Sequence, residues 1–304
     1  MGTEIKTGSE FWPILPLVEG TKRERKFTLI VIGLISVLCL TMGYIFTLYY
    51  KRTNVDVGIV FLSSAISVLG FLAVLIPPIL YLRIYNPLWT GLCFFISMAL
   101  LFLLVSHKFI VTKHSKVMTN DTIARDAFSA YVSAALFEEI IKLVTYLVPI
   151  ILCKRLRTVY DLAFLAICSG CTFATLENLT SANYGTSTAL HRFLWCTATH
   201  TSDCLSGALM LAHLKTREIK QKFKWCVYPL VLLVPVILHG TFDFVIFVAE
   251  DPALQWLRFL SILIGTASLT VSLLLFWPFR RSVQQPPIAV ITSVPCQLSS
   301  CPLV

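Results

Sequence analysis

ALFEEIIKLV, residues 135–144, places two adjacent carboxylates and a lysine inside an apolar run. A charged side chain at the centre of a bilayer costs about 3 kcal/mol. If this segment lies in lipid, Glu138, Glu139 and Lys142 must therefore be met by other polar groups. The rest of the chain decides whether the solvent is lipid. Of 304 residues, 57% are hydrophobic and 13% charged, and the mean hydropathy is +0.79, whereas a soluble domain carries about 25% charged residues. That composition excludes an ordinary soluble domain and predicts an all-α, polytopic transmembrane helical bundle.

A helix needs about 20 apolar residues to cross a hydrocarbon core of about 30 Å. Eight stretches qualify, near 27–50, 57–82, 88–111, 126–153, 159–182, 189–213, 226–249 and 254–279. Pro77-Pro78 should kink or end the second. Residues 1–26 read as a cytosolic leader, 27–279 as the transmembrane domain and 280–304 as a cytosolic tail. With a cytosolic N-terminus, fifteen basic residues fall near inside ends and eight near outside ends. The positive-inside rule then puts both termini in the cytosol. The net charge of +9 is explained by this topology signal rather than by nucleic acid. No cleavable signal peptide is evident, because the first apolar run follows a polar leader and is long enough to act as an anchor.

Several local patterns carry less weight. The sequon Asn120-Asp121-Thr122 falls in an outside loop. Cys168 and Cys171 form a CxxC without a second pair, which reads as two apolar-helix cysteines rather than a metal site. Cys301-Pro302-Leu303-Val304 has a prenylation cysteine but not the usual residues after it.

Ionisable residues inside the spans concentrate on four consecutive helices. The fourth has Glu138, Glu139 and Lys142; the fifth has Glu177 with Asn178; the sixth has Arg192, His200 and Asp203; the seventh has His239 and Asp243. Residues four apart share a helix face, so Ala130, Ala134, Glu138 and Lys142 form a stripe of small and then charged positions. Small residues beside polar ones mark helix contacts. Counted inward from the outer end of each span, Glu138, Glu177, His200, His239 and Asp243 all lie roughly 8–18 Å deep. A shared polar cavity in the outer half of the bilayer accounts for that agreement. Isolated ion pairs can be structural ties, but so many groups at one depth exceed what packing requires.

Desolvated beside another carboxylate, Glu138 or Glu177 suits a proton-accepting role on water. Two histidines and a carboxamide supply donors for a developing oxyanion. No serine lies in a GxSxG setting, and no cysteine is paired with a base by spacing. A water-activating hydrolase without a cofactor therefore fits better than a covalent one. Lys142, one turn from Glu138, would hold a carboxylate ionised and oriented.

Glu138-Glu139-Ile140-Ile141-Lys142 resembles the EExxK motif of the PrsW family of membrane-embedded glutamic-type proteases. Phe173-Ala174-Thr175-Leu176-Glu177-Asn178 resembles its FxxxEN motif, and His239-Gly240-Thr241-Phe242-Asp243 its HxxxD motif. His200 is similar to a further histidine between the last two. Order, spacing and one motif per helix agree over a core of residues 126–249. The resemblance implies proteolysis of a membrane protein or peptide substrate in the lipid bilayer. Through the related CAAX prenyl endopeptidases it implies Glu138 as base, Glu177 and His200 around the water, and His239 with Asp243 on the oxyanion side. Glu139 completes the catalytic set, with Lys142, Asn178 and Arg192 in support. Tyr184 is displaced from the family's tyrosine position, and Cys204 replaces a small or hydroxyl residue.

Three alternatives compete with this reading. Glu177, His200, His239 and Asp243 are competent zinc ligands, which would make a metal-dependent intramembrane protease, although no HExxH is present. The same superfamily includes a non-catalytic scaffold, the Aph subunit of γ-secretase, which the complete acid and histidine set argues against. A proton-coupled transporter would also use buried carboxylates, but no internal repeat is visible.

Overall fold

The computed structural model describes residues 22–50, 57–82, 90–100, 122–152, 159–180, 190, 192–216, 228–249 and 252–276. All are helical apart from short turns, and the protein is all-α. The segment before residue 22, the Asn120 sequon, Tyr184 and the tail with Cys301 lie outside these residues, as do positions 101–111 of the third expected span.

Eight helical rods are present among the described residues. They are α1 (Lys22–Tyr50), α2 (Val57–Leu82) and α3 (Thr90–Leu100). α4 runs through Thr122–Phe128, Ser129–Leu136 and Phe137–Leu152, and α5 spans Val159–Thr180. α6 combines Arg192–Cys196 with Thr197–Thr216, α7 is Leu230–Val248, and α8 joins Pro252–Leu257 to Arg258–Phe276. Each of the eight expected spans thus holds a helix. Three of them contain windows long and apolar enough to cross a membrane, in α2, α5 and α7. α2 continues through Pro77-Pro78 to Leu82, so the proline pair does not end it.

Burial shows which helix is central. In α5, 94% of the apolar window is buried, against 44% in α2 and 39% in α7. α5 packs against α1, α2, α4 and α6, and α7 and α8 close on the far side of α6. The exposed sides of α1, α2 and α8 carry Leu34, Val37, Leu62, Leu69, Leu263 and Leu274. In lipid such outward leucines and valines meet hydrocarbon and need no protein partner.

Small residues let the central helices approach. A Cβ placed on Gly170 of α5 would lie 2.6 Å from the His200 carbonyl oxygen and 2.7 Å from Thr201 Cα of α6. Backbone cannot yield as a side chain does, so glycine at 170 fixes the spacing of α5 and α6 beside His200. Cys168 and Cys171, next to it, are both buried free thiols. The Cys171 thiol donates to the Phe71 carbonyl at 3.4 Å, so the CxxC serves helix packing.

Two π-helical stretches interrupt the pattern, Ser129–Leu136 in α4 and Arg192–Cys196 in α6. Each lies just before functional candidates on its rod, Glu138 and His200 respectively. Such stretches add residues per turn and re-aim the side chains that follow. The wide turn of α4 packs on α7, where Tyr131 donates to or accepts from Thr241 Oγ1 at 2.8 Å. A Cβ on Gly240 would meet the Tyr131 ring at 2.4 Å, so the glycine after His239 admits this aromatic.

Candidate active site

α4 brings Glu138, Glu139 and Lys142 inward together, each no more than 2% exposed. Glu138 and Glu139 sit about 100° apart around the helix, yet both face protein because α5, α6 and α7 enclose this part of α4. Lys142 Nζ is 2.5 Å from Glu139 Oε1, three residues back, so the lysine holds Glu139. The spacing from Lys142 fits either glutamate, and the contact selects Glu139. Its second bond, at 2.7 Å, is to His200 Nδ1, and it lies 4.9 Å from the centre of the Phe173 ring. An ammonium has three donors and no acceptor. The two bonds and the aromatic face together account for them.

This lysine fixes the histidine beside it. Because Lys142 can only donate, His200 Nδ1 accepts and Nε2 carries the proton. That protonated Nε2 faces Glu177 Oε2 at 2.9 Å. Glu177 is clamped from the other side by Arg192 Nη2 at 2.8 Å, while Arg192 Nε donates to Asn178 Oδ1 at 2.8 Å. Asn178 Nδ2 in turn donates to Thr197 Oγ1 at 3.2 Å. Arg192 and Asn178 thus tie the C-terminal end of α5 to the N-terminal end of α6 around Glu177.

His239 of α7 forms the other half. Its Nδ1 donates to Glu139 Oε1 at 2.8 Å, which turns Nε2 toward Glu138 Oε2 at 3.5 Å and Asp243 Oδ2 at 3.4 Å. The two imidazoles meet edge to face, with centroids 4.6 Å apart. Every candidate named from the sequence is therefore in one connected cluster. Glu138, Glu139, Lys142, His200 and His239 form its buried floor, whereas Glu177, Arg192 and Asp243 are each about a fifth exposed. The partly exposed trio is the side from which a substrate can approach.

Sequence reasoning noted Asp203 but gave it no role. It is fully buried, takes a short hydrogen bond from Ser268 Oγ of α8, and lies with Glu139 and His239 in a group whose donor atoms fall within 4.8 Å of one another. Its i+3 spacing from His200 was the available signal.

The cluster's donor set bears on a metal. Five carboxylates (Glu138, Glu139, Glu177, Asp203 and Asp243) share the region with two permanent cations, Lys142 and Arg192. Buried charge needs compensation, so protons or a divalent ion must supply the difference. His239 Nε2 is buried without a hydrogen-bond partner between two carboxylate oxygens. Zinc binds imidazole nitrogen and carboxylate oxygen at about 2.0–2.2 Å, which places neighbouring ligand atoms roughly 3.3 Å apart. The 3.4 and 3.5 Å spacings around His239 Nε2 fit that, and the Glu139 bond to Nδ1 is the usual backing for a histidine ligand. For His200 to join them, Nε2 must give up its proton, since Lys142 occupies the other ring nitrogen.

A buried acid–base centre is thus assembled from four helices, α4 to α7, of which α5 and α7 are long and apolar enough to cross a membrane. The chain belongs to the PrsW family: the family model described as "PrsW family intramembrane metalloprotease" matches residues 82–280, a stretch that contains every residue of the cluster. It is an integral membrane protein of a protease family. No curated protein and no solved structure matches the chain.

The fate of the second sequon follows from this geometry. Asn178-Leu179-Thr180 has the sequence of a glycan acceptor, but the Asn178 side chain is 3% exposed and engaged at both its oxygen and its nitrogen. Mass spectrometry of the protein from eukaryotic cells is expected to find Asn178 unmodified; a glycan there would mean that the Arg192 clamp does not form.

Proposed function

We propose that this chain is an intramembrane endopeptidase in which Glu138 activates the water that attacks the scissile carbonyl. The observation that carries the reading is the placement of Glu138, buried yet 3.5 Å from His239 Nε2, in a cluster whose partly exposed side is lined by Glu177, Arg192 and Asp243. Glu138 takes a proton from water as the oxygen bonds to the carbonyl carbon, and returns it to the leaving amine as the C–N bond breaks. His239, oriented by Glu139 and backed by Asp243, carries a donor on Nε2 when protonated and faces the oxyanion side. His200 and Glu177 flank the water, and the Lys142 bond keeps His200 in its donating tautomer.

A metal-assisted form is the second reading, favoured by the family description and by the position of His239 Nε2. Glu138, His200 and His239, whose donor atoms lie within 4.8 Å of one another, would hold the ion, which would supply Lewis-acid polarisation of water or carbonyl. The complete acid and histidine set remains the argument against a scaffold role. Elemental analysis with a cleavage assay distinguishes the forms. The glutamate reading expects turnover of a transmembrane peptide by protein with far less than one equivalent of zinc, unchanged by chelator. Activity that tracks stoichiometric zinc replaces it with the metal reading.

The proposed substrate is a membrane protein or membrane-inserted peptide, since the cluster lies on helices that expose aliphatic sides. The eight rods are proposed as eight spans, with the basic flanks placing both termini in the cytosol. A tag after residue 304 should then be protected from protease added outside intact cells. Its digestion there would reverse the orientation.

A further inference from the structure

Below the catalytic cluster, on the side away from Glu177 and Arg192, a small void opens between α4, α6 and α7. It is lined by Glu139, Tyr146, Asp203, Gly207 and Pro235 among others, and gives the centre of a water molecule about 10 Å³ to occupy. That is about the space one water needs, and too little for two. Polar partners are the second requirement, since a buried water makes about three hydrogen bonds.

Three such groups face this space. Asp203 is fully buried, and while Oδ1 takes the Ser268 hydrogen bond, Oδ2 has no partner. Glu139 takes both the Lys142 and the His239 bonds on Oε1, which leaves Oε2 for the void that Glu139 helps to line. The Tyr146 hydroxyl ends at the same wall, 3.4 Å from where a Cβ on Gly207 would lie. A carboxylate oxygen of Glu139 and one of Asp203 are within 4.8 Å. Two oxygens joined by one water at about 2.8 Å each, with a near-tetrahedral angle, lie roughly 4.5 Å apart.

We propose that a single structural water in this void, held by Asp203, Glu139 and Tyr146, is part of the site, and that Asp203 acts through it as a positioning residue. The hydrogen-bond balance is complete. The water donates to the two carboxylates and accepts from the tyrosine. Ser268 on α8 fixes Asp203, the water fixes Glu139, and Glu139 fixes His239. A helix that carries none of the motif residues thereby sets the angle of a catalytic imidazole.

The consequence for turnover rests on the protease reading above, whereas the water itself does not. Asp203→Asn keeps an acceptor for Ser268 and a donor for the water, so turnover should stay within a few-fold of the parent. Asp203→Val removes both, and kcat should fall about 10–100-fold with KM unchanged, as for other groups that orient a site's first contacts. Tyr146→Phe should lower kcat less, and Asp203→Val with Tyr146→Phe should be no worse than Asp203→Val alone, because both act through one water. A map of the intact protein in lipid nanodiscs, at a resolution that shows ordered water, should hold a peak within hydrogen-bond distance of Asp203, Glu139 and Tyr146. It should be lost in Asp203→Val. A dry void in the parent protein, independent multiplicative effects of the two substitutions, or Asp203→Asn as harmful as Asp203→Val would each overturn the proposal. If the parent cleaves nothing while the peak is present, the protease reading fails and the water stands.

Discussion

Glu138→Gln is expected to lower peptide turnover by about 10²–10⁴ while leaving the protein folded. Glutamine has the shape of glutamate and keeps one acceptor oxygen, so the packing of a residue only 1% exposed should survive. What disappears is the carboxylate, 3.5 Å from His239 Nε2, that takes a proton from water. Single-turnover cleavage in proteoliposomes, with metal content measured on the same preparation, reads the result. Loss of turnover with unchanged metal content supports Glu138 as base. A well-folded variant that cleaves at the parent rate ends the assignment. Glu139→Gln should lower turnover as well. Glu139 Oε1 is the shared acceptor of Lys142 and His239, and loss of such an orienting carboxylate costs about 10–100-fold.

The polar cluster was legible in the sequence because lipid makes polar residues conspicuous. An ionisable group in an apolar span needs a partner, and depth counting on alternating helices found which groups could meet. Glu138, Glu177, His200, His239 and Asp243 do meet, and α5, which carries Glu177, is the most enclosed of the three strongly apolar helices.

What stayed hidden has physical reasons. Glu138 and Glu139 lie four and three residues before Lys142, both same-face spacings, so periodicity could not say which one the lysine holds. The choice is made by tertiary contacts, since Glu139 also takes His239 and Lys142 also takes His200. The π-helical turns at Ser129–Leu136 and Arg192–Cys196 have no marker in composition, because the wide turn is selected by what packs against it.

Asp203 went unassigned because its partner is a serine 65 residues away on α8. Serines in membrane helices ordinarily bond the carbonyl four residues back, as Ser36, Ser64 and Ser67 do here. Nothing in the sequence separates Ser268 from these. Ser272, one turn on, reaches across to the Ser202 carbonyl at 2.6 Å, so this edge of α8 is tied to α6 by hydroxyls that hydropathy does not register.

Lys142→Met should be the most destabilising single change in the cluster. Lys142 is 1% exposed, and methionine fills much of the same volume, so lost packing is a minor part of the effect. The larger part is electrostatic. Without the ammonium, Glu139 Oε1 keeps only the His239 hydrogen bond while Glu138, Asp203 and Asp243 add like charge nearby. Breaking a buried pair by removing one member costs about 3–5 kcal/mol, because the other charge is left without compensation. Turnover should fall as well, since His200 loses the bond that sets its tautomer. Adding Glu139→Gln removes the stranded charge, so the double variant should recover a good part of the stability without recovering activity. Equilibrium unfolding of the parent, both single variants and the double variant in mixed micelles closes the cycle. Stability of Lys142→Met equal to the parent, or simple addition of the two single effects, would show that the Lys142–Glu139 pair is not the buried tie on which the geometry of His200 and His239 depends.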